Sequence, residues 1–192
     1  DLVLDVSQHG DRESIRREIA ARLPEIAKQA RVQLARMAGV TSAQRAIAED
    51  LTAATASVSA GLAAIPIPIA DIAPITALQV SLVAGIGYLS GREMTVRSAT
   101  EFVAALGANV GAAIVLRHVA RAVTKAVLPA AGSLVSAGVA WAGTKAVGAA
   151  ATSYFIDHSG KKAARKQFSV VVKQPPQLPK PLHTVIEAAD RS

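Results

Sequence analysis

Apolar positions recur every three or four residues over most of this chain, and that spacing predicts helices almost throughout. The exception is Leu2-Val3-Leu4-Asp5-Val6, which alternates loosely and reads as one buried strand, followed by the loop Ser7-Gln8-His9-Gly10. From Asp11 to Leu23 the residues Ile15, Ile19 and Leu23 form an apolar stripe with charges on the opposite face. Pro24 interrupts this helix. Its second part carries Ile26, Ala30, Leu34 and Met37 at similar spacing and stops at Gly39, a residue that can take the left-handed conformation a helix end needs. Thr41 followed by Gln44 predicts a capping box for the next helix, whose apolar positions include Ala48, Leu51, Val58 and Leu62.

That helix must end before Ile65-Pro66-Ile67-Pro68-Ile69-Ala70-Asp71. Each proline fixes φ, lacks an N–H and disfavours helix in the residue before it, so Pro66 and Pro68 impose a short extended elbow. Asp71 then offers a carboxylate to the free N–H groups of a new helix, where the helix dipole also favours negative charge. The following stretch, Ile72 to Ser90, is uncharged, has Pro74 in its first turn and is ended by Gly91-Arg92-Glu93. Two apolar helices therefore meet at one acid-tipped corner.

Further along, Ser98 and Glu101 predict a second capping box. The helix beyond it, Phe102 to about Val127, turns basic at Arg117, Arg121 and Lys125. Pro129 and Gly132 mark a turn. A helix from about Gly132 to Ile156 has Lys145 as its one charge, and Lys161-Lys162-Ala163-Ala164-Arg165-Lys166 follows the break at Gly160. Prolines at 175, 176, 179 and 181 predict an extended, solvated tail.

Composition narrows what such helices are for. Of 192 residues, 51% are hydrophobic but only 3% are aromatic, so the apolar surface is built of small aliphatic side chains that let helices approach closely. Segments 51–70, 72–91 and 126–144 are uncharged and long enough to cross hydrocarbon, which takes about 20 residues. They are transmembrane helix candidates by length, yet Ala, Gly, Ser and Thr dominate them and gain little from insertion. The net charge of +7 arises entirely in residues 117–192, which hold 11 Lys and Arg against 3 Asp and Glu. A basic flank beside apolar helices reads first as a cytoplasmic membrane-facing surface and next as a site for an acidic partner. Nucleic acid is not expected, since no recognition motif accompanies the basic run.

The residues suggest no catalytic centre. With no cysteine, thiolate chemistry is excluded. His9, His118, His158 and His183 have no partner at metal-ligand spacing, and the pairs Glu13/Glu18 and Glu49/Asp50 lie among arginines where surface ion pairs are expected. Asp71 is explained by capping. Gln79, two turns further along the same helix face, is read as a helix-to-helix hydrogen bond. Phosphate-loop and nucleophile-elbow patterns are absent from the sequence.

The elbow, with Ile75-Thr76, Gln79, Gly87-Tyr88, Lys125 before Pro129 and Gly132, and Thr144 with Gly148 and Tyr154, resembles the helical domain of unknown function 697. That family occurs in YcjF-type membrane proteins and behind Era-like or TrmE-like GTPase domains of bacteria. The resemblance covers roughly residues 45–155. The preceding Val3-Leu4-Asp5-Val6-Ser7, with Gly10 and a helix, is similar to the last strand and helix of a small GTPase domain, in which Ser7 would approach the guanine base. Gln8 departs from the Ala of that pattern. The resemblance implies that GTP and magnesium belong to a parent protein, that this chain holds no cofactor and performs no hydrolysis, and that it is a fragment of that parent.

The expected fold is all-α: a helical bundle with two apolar proline-turned hairpins, preceded by a short strand-helix remnant of an α/β GTPase domain. Residues 1–38 form the remnant and linker, 39–172 the apolar helical domain and 173–192 the proline-rich tail. The expected function is a membrane- or partner-associating helical domain of a bacterial GTPase at the cytoplasmic face of the inner membrane, coupling nucleotide state to binding. Its partners would be membrane lipids or a helical protein, its own upstream GTPase domain and, in an oligomer, further copies of itself. Arg117, Arg121, Lys125, Lys161, Lys162, Arg165 and Lys166 would make the contact. The alternative is a soluble regulatory or oligomerisation domain without lipid contact, and a remoter one is a pore-forming domain.

Overall fold

The computed structural model describes residues 12–22, 28–65, 72–107, 132–175, 178–180 and 184. Among these residues the fold is all-α, with no strand. Its helices are α1 (Arg12–Arg22), α2 (Lys28–Ala38), α3 (Thr41–Ala64), α4 (Ile72–Leu89), α5 (Val96–Leu106), α6 (Gly132–Ala151) and α7 (Gly160–Lys173), with a π-helical turn, Thr152–Ile156, closing α6. The strand expected at residues 2–6, with Ser7, lies outside the described residues. So do the elbow residues Pro66, Pro68 and Asp71, the cations Arg117, Arg121 and Lys125, and the turn at Pro129.

Helices α3 and α6 form the spine. Arg45 reaches Asp157 just beyond α6, Thr52 meets Gly148, and Ala60 clusters with Ala137, so the two helices run antiparallel along nearly their whole length. The contact is made by small side chains. The face that α3 buries is Gln44, Ala48, Thr52, Ala56, Ser59 and Ala60, nearly a four-residue repeat. The larger residues expected to form its core are turned outward: Leu51 is 38% exposed and Val58 52%. Close approach of the backbones offsets the loss of large apolar groups at the contact, because more atoms meet across it. The polar members are largely satisfied locally, the Thr52 hydroxyl donating to the Ala48 carbonyl at 2.6 Å.

Against this spine lies α4, with Gly85 opposite Leu51. Its second half is the centre of the main core, where Leu82, Val83, Ile86 and Leu89 are buried with Phe155 and Ile156 of the π turn and Phe168 of α7. Its first half is more open, Ala73, Pro74 and Thr76 being exposed. Among the described residues, the two apolar rods are thus buried only in part. Among the described residues no helix is long and apolar enough to cross a membrane.

Local signals decide where helices stop. Gly39 and Gly91 take φ of +61° and +86°, and each is followed by a backbone bond spanning the helix end, Val40 N–H to Ala35 O at 3.2 Å and Arg92 N–H to Gly87 O at 3.1 Å. The expected capping boxes are both displaced. Val40, not Thr41, caps α3 without a side-chain bond, and Gln44 turns away to donate to the Ala35 carbonyl at 3.2 Å, fastening α3 to the end of α2. In α5 the box is Thr95 with Ser98, three residues earlier than expected, and Glu101 instead pairs with Arg97 at 2.9 Å.

Two further expectations are corrected. The α2 stripe of Ala30, Leu34 and Met37 is a core face only at Leu34, which packs with Ile19 and Val40. Met37 is 80% exposed and Ala35 fully buried, because the turn at Gly39 presents the Val32–Ala35 side to α3 and α4. The tail is not wholly solvated either. Leu178 packs with Leu134 and Trp141 against Ala60 and Ala137, capping the far end of the spine.

Candidate functional site

The sequence concentrates positive charge at residues 161–166, and the structure divides it between two sides of one helix. Ala164, Phe168 and Val172 recur every four residues and bury α7 on the core. One turn of helix advances about 100° per residue, so Lys162, Lys166 and Lys173 fall on the side opposite that stripe, facing solvent. Arg165 lies between the two sides and Lys161 on the stripe's own side, one turn before Ala164, and both border a groove. All five are exposed, and among the described residues none of them forms an ion pair. An amphipathic helix docked by its apolar face thus presents a row of cations that no described acid neutralises.

The groove, of about 500 Å³, runs between α5 and α7. From α5 come Ser98, Phe102 and Ala105, which share a face at three- and four-residue spacing. Its floor is the π turn. The widened turn carries the Asp157 N–H to the Thr152 carbonyl at 3.1 Å, a five-residue step, and both Tyr154 and Phe155 line the cavity although they are sequence neighbours. With Phe102 they form a cluster of three rings whose centroids are 4.9 to 5.5 Å apart. The chain has only six aromatic residues, so half of them meet here.

Arg92 completes the wall. Its guanidinium sits 5.4 Å from the Tyr154 ring centroid and 5.5 Å from that of Phe155, within the range of cation–π attraction. The loop beyond the π turn is fastened from several directions. The Ser159 hydroxyl donates to the Ser153 carbonyl at 2.6 Å, and Asp157 accepts from Arg45 at 2.7 Å. His158 takes a left-handed φ of +53° between them.

Gln79 is where the sequence reading placed it in function as well as position. Its amide donates to the fully buried Thr144 hydroxyl of α6 at 3.3 Å. Thus Gln79, Thr144 and Gly148, three residues of the quoted resemblance, serve the packing of α4 and α3 on α6. The groove itself was not anticipated. Arg92 and Phe102 gave no signal in isolation, whereas Tyr154-Phe155 just before a basic run was the one available hint. Among the described residues there is no group of three His, Cys, Asp or Glu that could hold a metal. Ser98, which lines the groove from α5, is engaged in the α5 cap.

No family model, curated protein or solved structure compared with this chain matches it.

Proposed function

We propose that this chain is a helical docking module that binds peripherally to an anionic membrane surface through α7, and that it makes this attachment on behalf of a GTPase domain to which it is joined. The second part rests on the resemblance of the elbow region and places the contact at the cytoplasmic face of the inner membrane. The observation that supports the first part is the exposed cation row of α7, which no acid among the described residues pairs. Each Lys or Arg near an anionic leaflet contributes about 1 kcal/mol, so Lys161, Lys162, Arg165 and Lys166 together supply enough for reversible binding without insertion. Attachment of this kind weakens with salt, since exposed charges are screened over about 10 Å at 0.1 M.

Flotation with vesicles of graded anionic lipid content tests the proposal. Binding should rise with anionic fraction, fall on adding salt, and be lost in the Lys162→Glu/Lys166→Glu variant. Absence of flotation at every composition removes the membrane reading. The alternative, a regulatory or oligomerisation domain without lipid, is favoured by a separate feature: Leu51 and Val58 are both partly exposed, seven residues apart on α3, the spacing with which a helix meets another helix. Concentration-dependent self-association without flotation would support it.

A further inference from the structure

We propose that the groove between α5 and α7 is a binding site for an amphiphilic anion, a molecule with one carboxylate or phosphate head on an apolar body. The inference concerns a single bound molecule and stands apart from attachment to a surface. Three features carry it. The volume, about 500 Å³, lies within the range of small-molecule sites, which are mostly apolar with a few placed polar groups. The interior is apolar, with the ring cluster of Phe102, Tyr154 and Phe155 beside Met94 and Leu106. The rim is cationic, with Arg92, Lys161 and Arg165 all lining it.

The charge balance selects the head group. Two acids also reach the rim, Glu93 and Glu101. Glu101 is held by Arg97 at 2.9 Å, which leaves three cations against one carboxylate that no described residue pairs. Among the described residues Arg92 has no carboxylate partner, only the two ring faces beneath it, so no described carboxylate takes its N–H donors from an anion. Guanidinium groups match carboxylate and phosphate oxygens in pairs. A neutral apolar ligand would leave this rim unused, and a polyanion would leave the aromatic floor uncovered.

The π turn supports a site rather than a packing defect. Such turns are rare and frequently lie at functional positions. Here the turn brings two adjacent aromatic residues into one cavity, and the bonds at Ser159 and Asp157 hold the loop that leaves it. A groove whose walls are fixed before binding loses little entropy on ligand entry.

Calorimetric titration of the chain with decyl phosphate and with decanoate, below their micelle concentrations, tests the proposal, with decanol and inorganic phosphate as the separated halves. Both amphiphiles should bind at least about tenfold tighter than either half; the tighter of the two tells whether a lipid phosphate or a fatty carboxylate is the natural source. Arg165→Glu should weaken binding about tenfold or more, whereas Lys162→Glu, on the outward side, should change it less than about twofold. Ala105→Trp, which fills the groove from α5 without altering a cation, should abolish binding while the circular dichroism spectrum is retained. Equal binding of decanol, equal binding of inorganic phosphate, equal loss in Lys162→Glu and Arg165→Glu, or no binding of either amphiphile would each overturn the proposal. Because Lys162→Glu/Lys166→Glu acts on vesicle flotation and Arg165→Glu on the groove, failure of one reading is distinguishable from failure of the other.

Discussion

Gly148 of α6 lies directly beneath the Thr52 side chain of α3: a Cβ at position 148 would fall 2.9 Å from the Thr52 Cβ and closer still to its Oγ1 and Cγ2. Thr52 is β-branched, and its hydroxyl is fixed on the Ala48 carbonyl, so it has no low-energy rotamer into which to retreat. The backbones of the two spine helices approach as closely as they do because position 148 has no side chain.

Gly148→Ala therefore sets two effects against each other. Alanine gains up to about 1 kcal/mol of helix propensity over glycine, and overpacking at a rigid contact costs about 1–3 kcal/mol. The steric term wins, so the variant should unfold at lower urea concentration than the parent. Adding Thr52→Ala removes the opposing atoms and should restore most of the loss. A double substitution no more stable than Gly148→Ala alone would show that the contact is not the cause.

The same reasoning applies to the fully buried Ser59, whose hydroxyl has no hydrogen-bond partner among the described residues. A buried polar group without a partner carries a desolvation cost of about 1–3 kcal/mol. Ser59→Ala should raise the midpoint of urea unfolding by an amount equivalent to about 1 kcal/mol with no change in slope. A loss of stability would mean that the hydroxyl is satisfied in solution.

Much of the fold was legible in the sequence, because helix periodicity and helix stops are local properties. Gly39 and Gly91 end their helices for the reason expected of them, and Gln79 makes the interhelical bond that its position on an apolar helix suggested. What was not legible is which face of an Ala-rich helix turns inward. In α3 two of the large apolar residues, Leu51 and Val58, are partly exposed while Ala48, Ala56 and Ala60 are buried, because the partner helix selects side chains small enough for close approach. Gln44 shows the same override: its side chain has a capping role available, yet the carbonyl of Ala35 lies nearer once α2 folds back. The groove was hidden for another reason. Arg92, Phe102 and Tyr154 are separated by up to 62 residues, and only tertiary packing brings them together.

Thr144 offers a test of the second interhelical link. Thr144→Val keeps the shape of the side chain but deprives the Gln79 amide of its acceptor. Gln79 is only partly buried and the bond is long, 3.3 Å, so the cost should be near the low end for a lost hydrogen bond, about 1 kcal/mol. Gln79→Leu combined with Thr144→Val should be less destabilising than the two single changes added together. Strict additivity in a double-mutant cycle would show that the residues do not interact.

The clamp on the π turn should behave differently. Arg45 and Asp157 are 112 residues apart in sequence and meet at 2.7 Å, but their side chains are 53% and 29% exposed. Exposed ion pairs contribute about 0–1 kcal/mol, because solvent screens the charges and two side chains must be ordered to hold them. The turn has its own backbone bonds, Asp157 N–H to Thr152 O and Ser159 N–H to Ser153 O, each at 3.1 Å. Asp157→Asn should thus lower stability by less than about 1 kcal/mol, with the difference from the parent shrinking in 1 M salt, where screening reaches about 3 Å. The ring resonances of Tyr154 and Phe155 should stay in place by NMR, since the backbone rather than the ion pair sets their position. Large shifts of those resonances in Asp157→Asn would reverse this assignment and make Arg45, from the opposite end of the chain, the residue that shapes the groove floor.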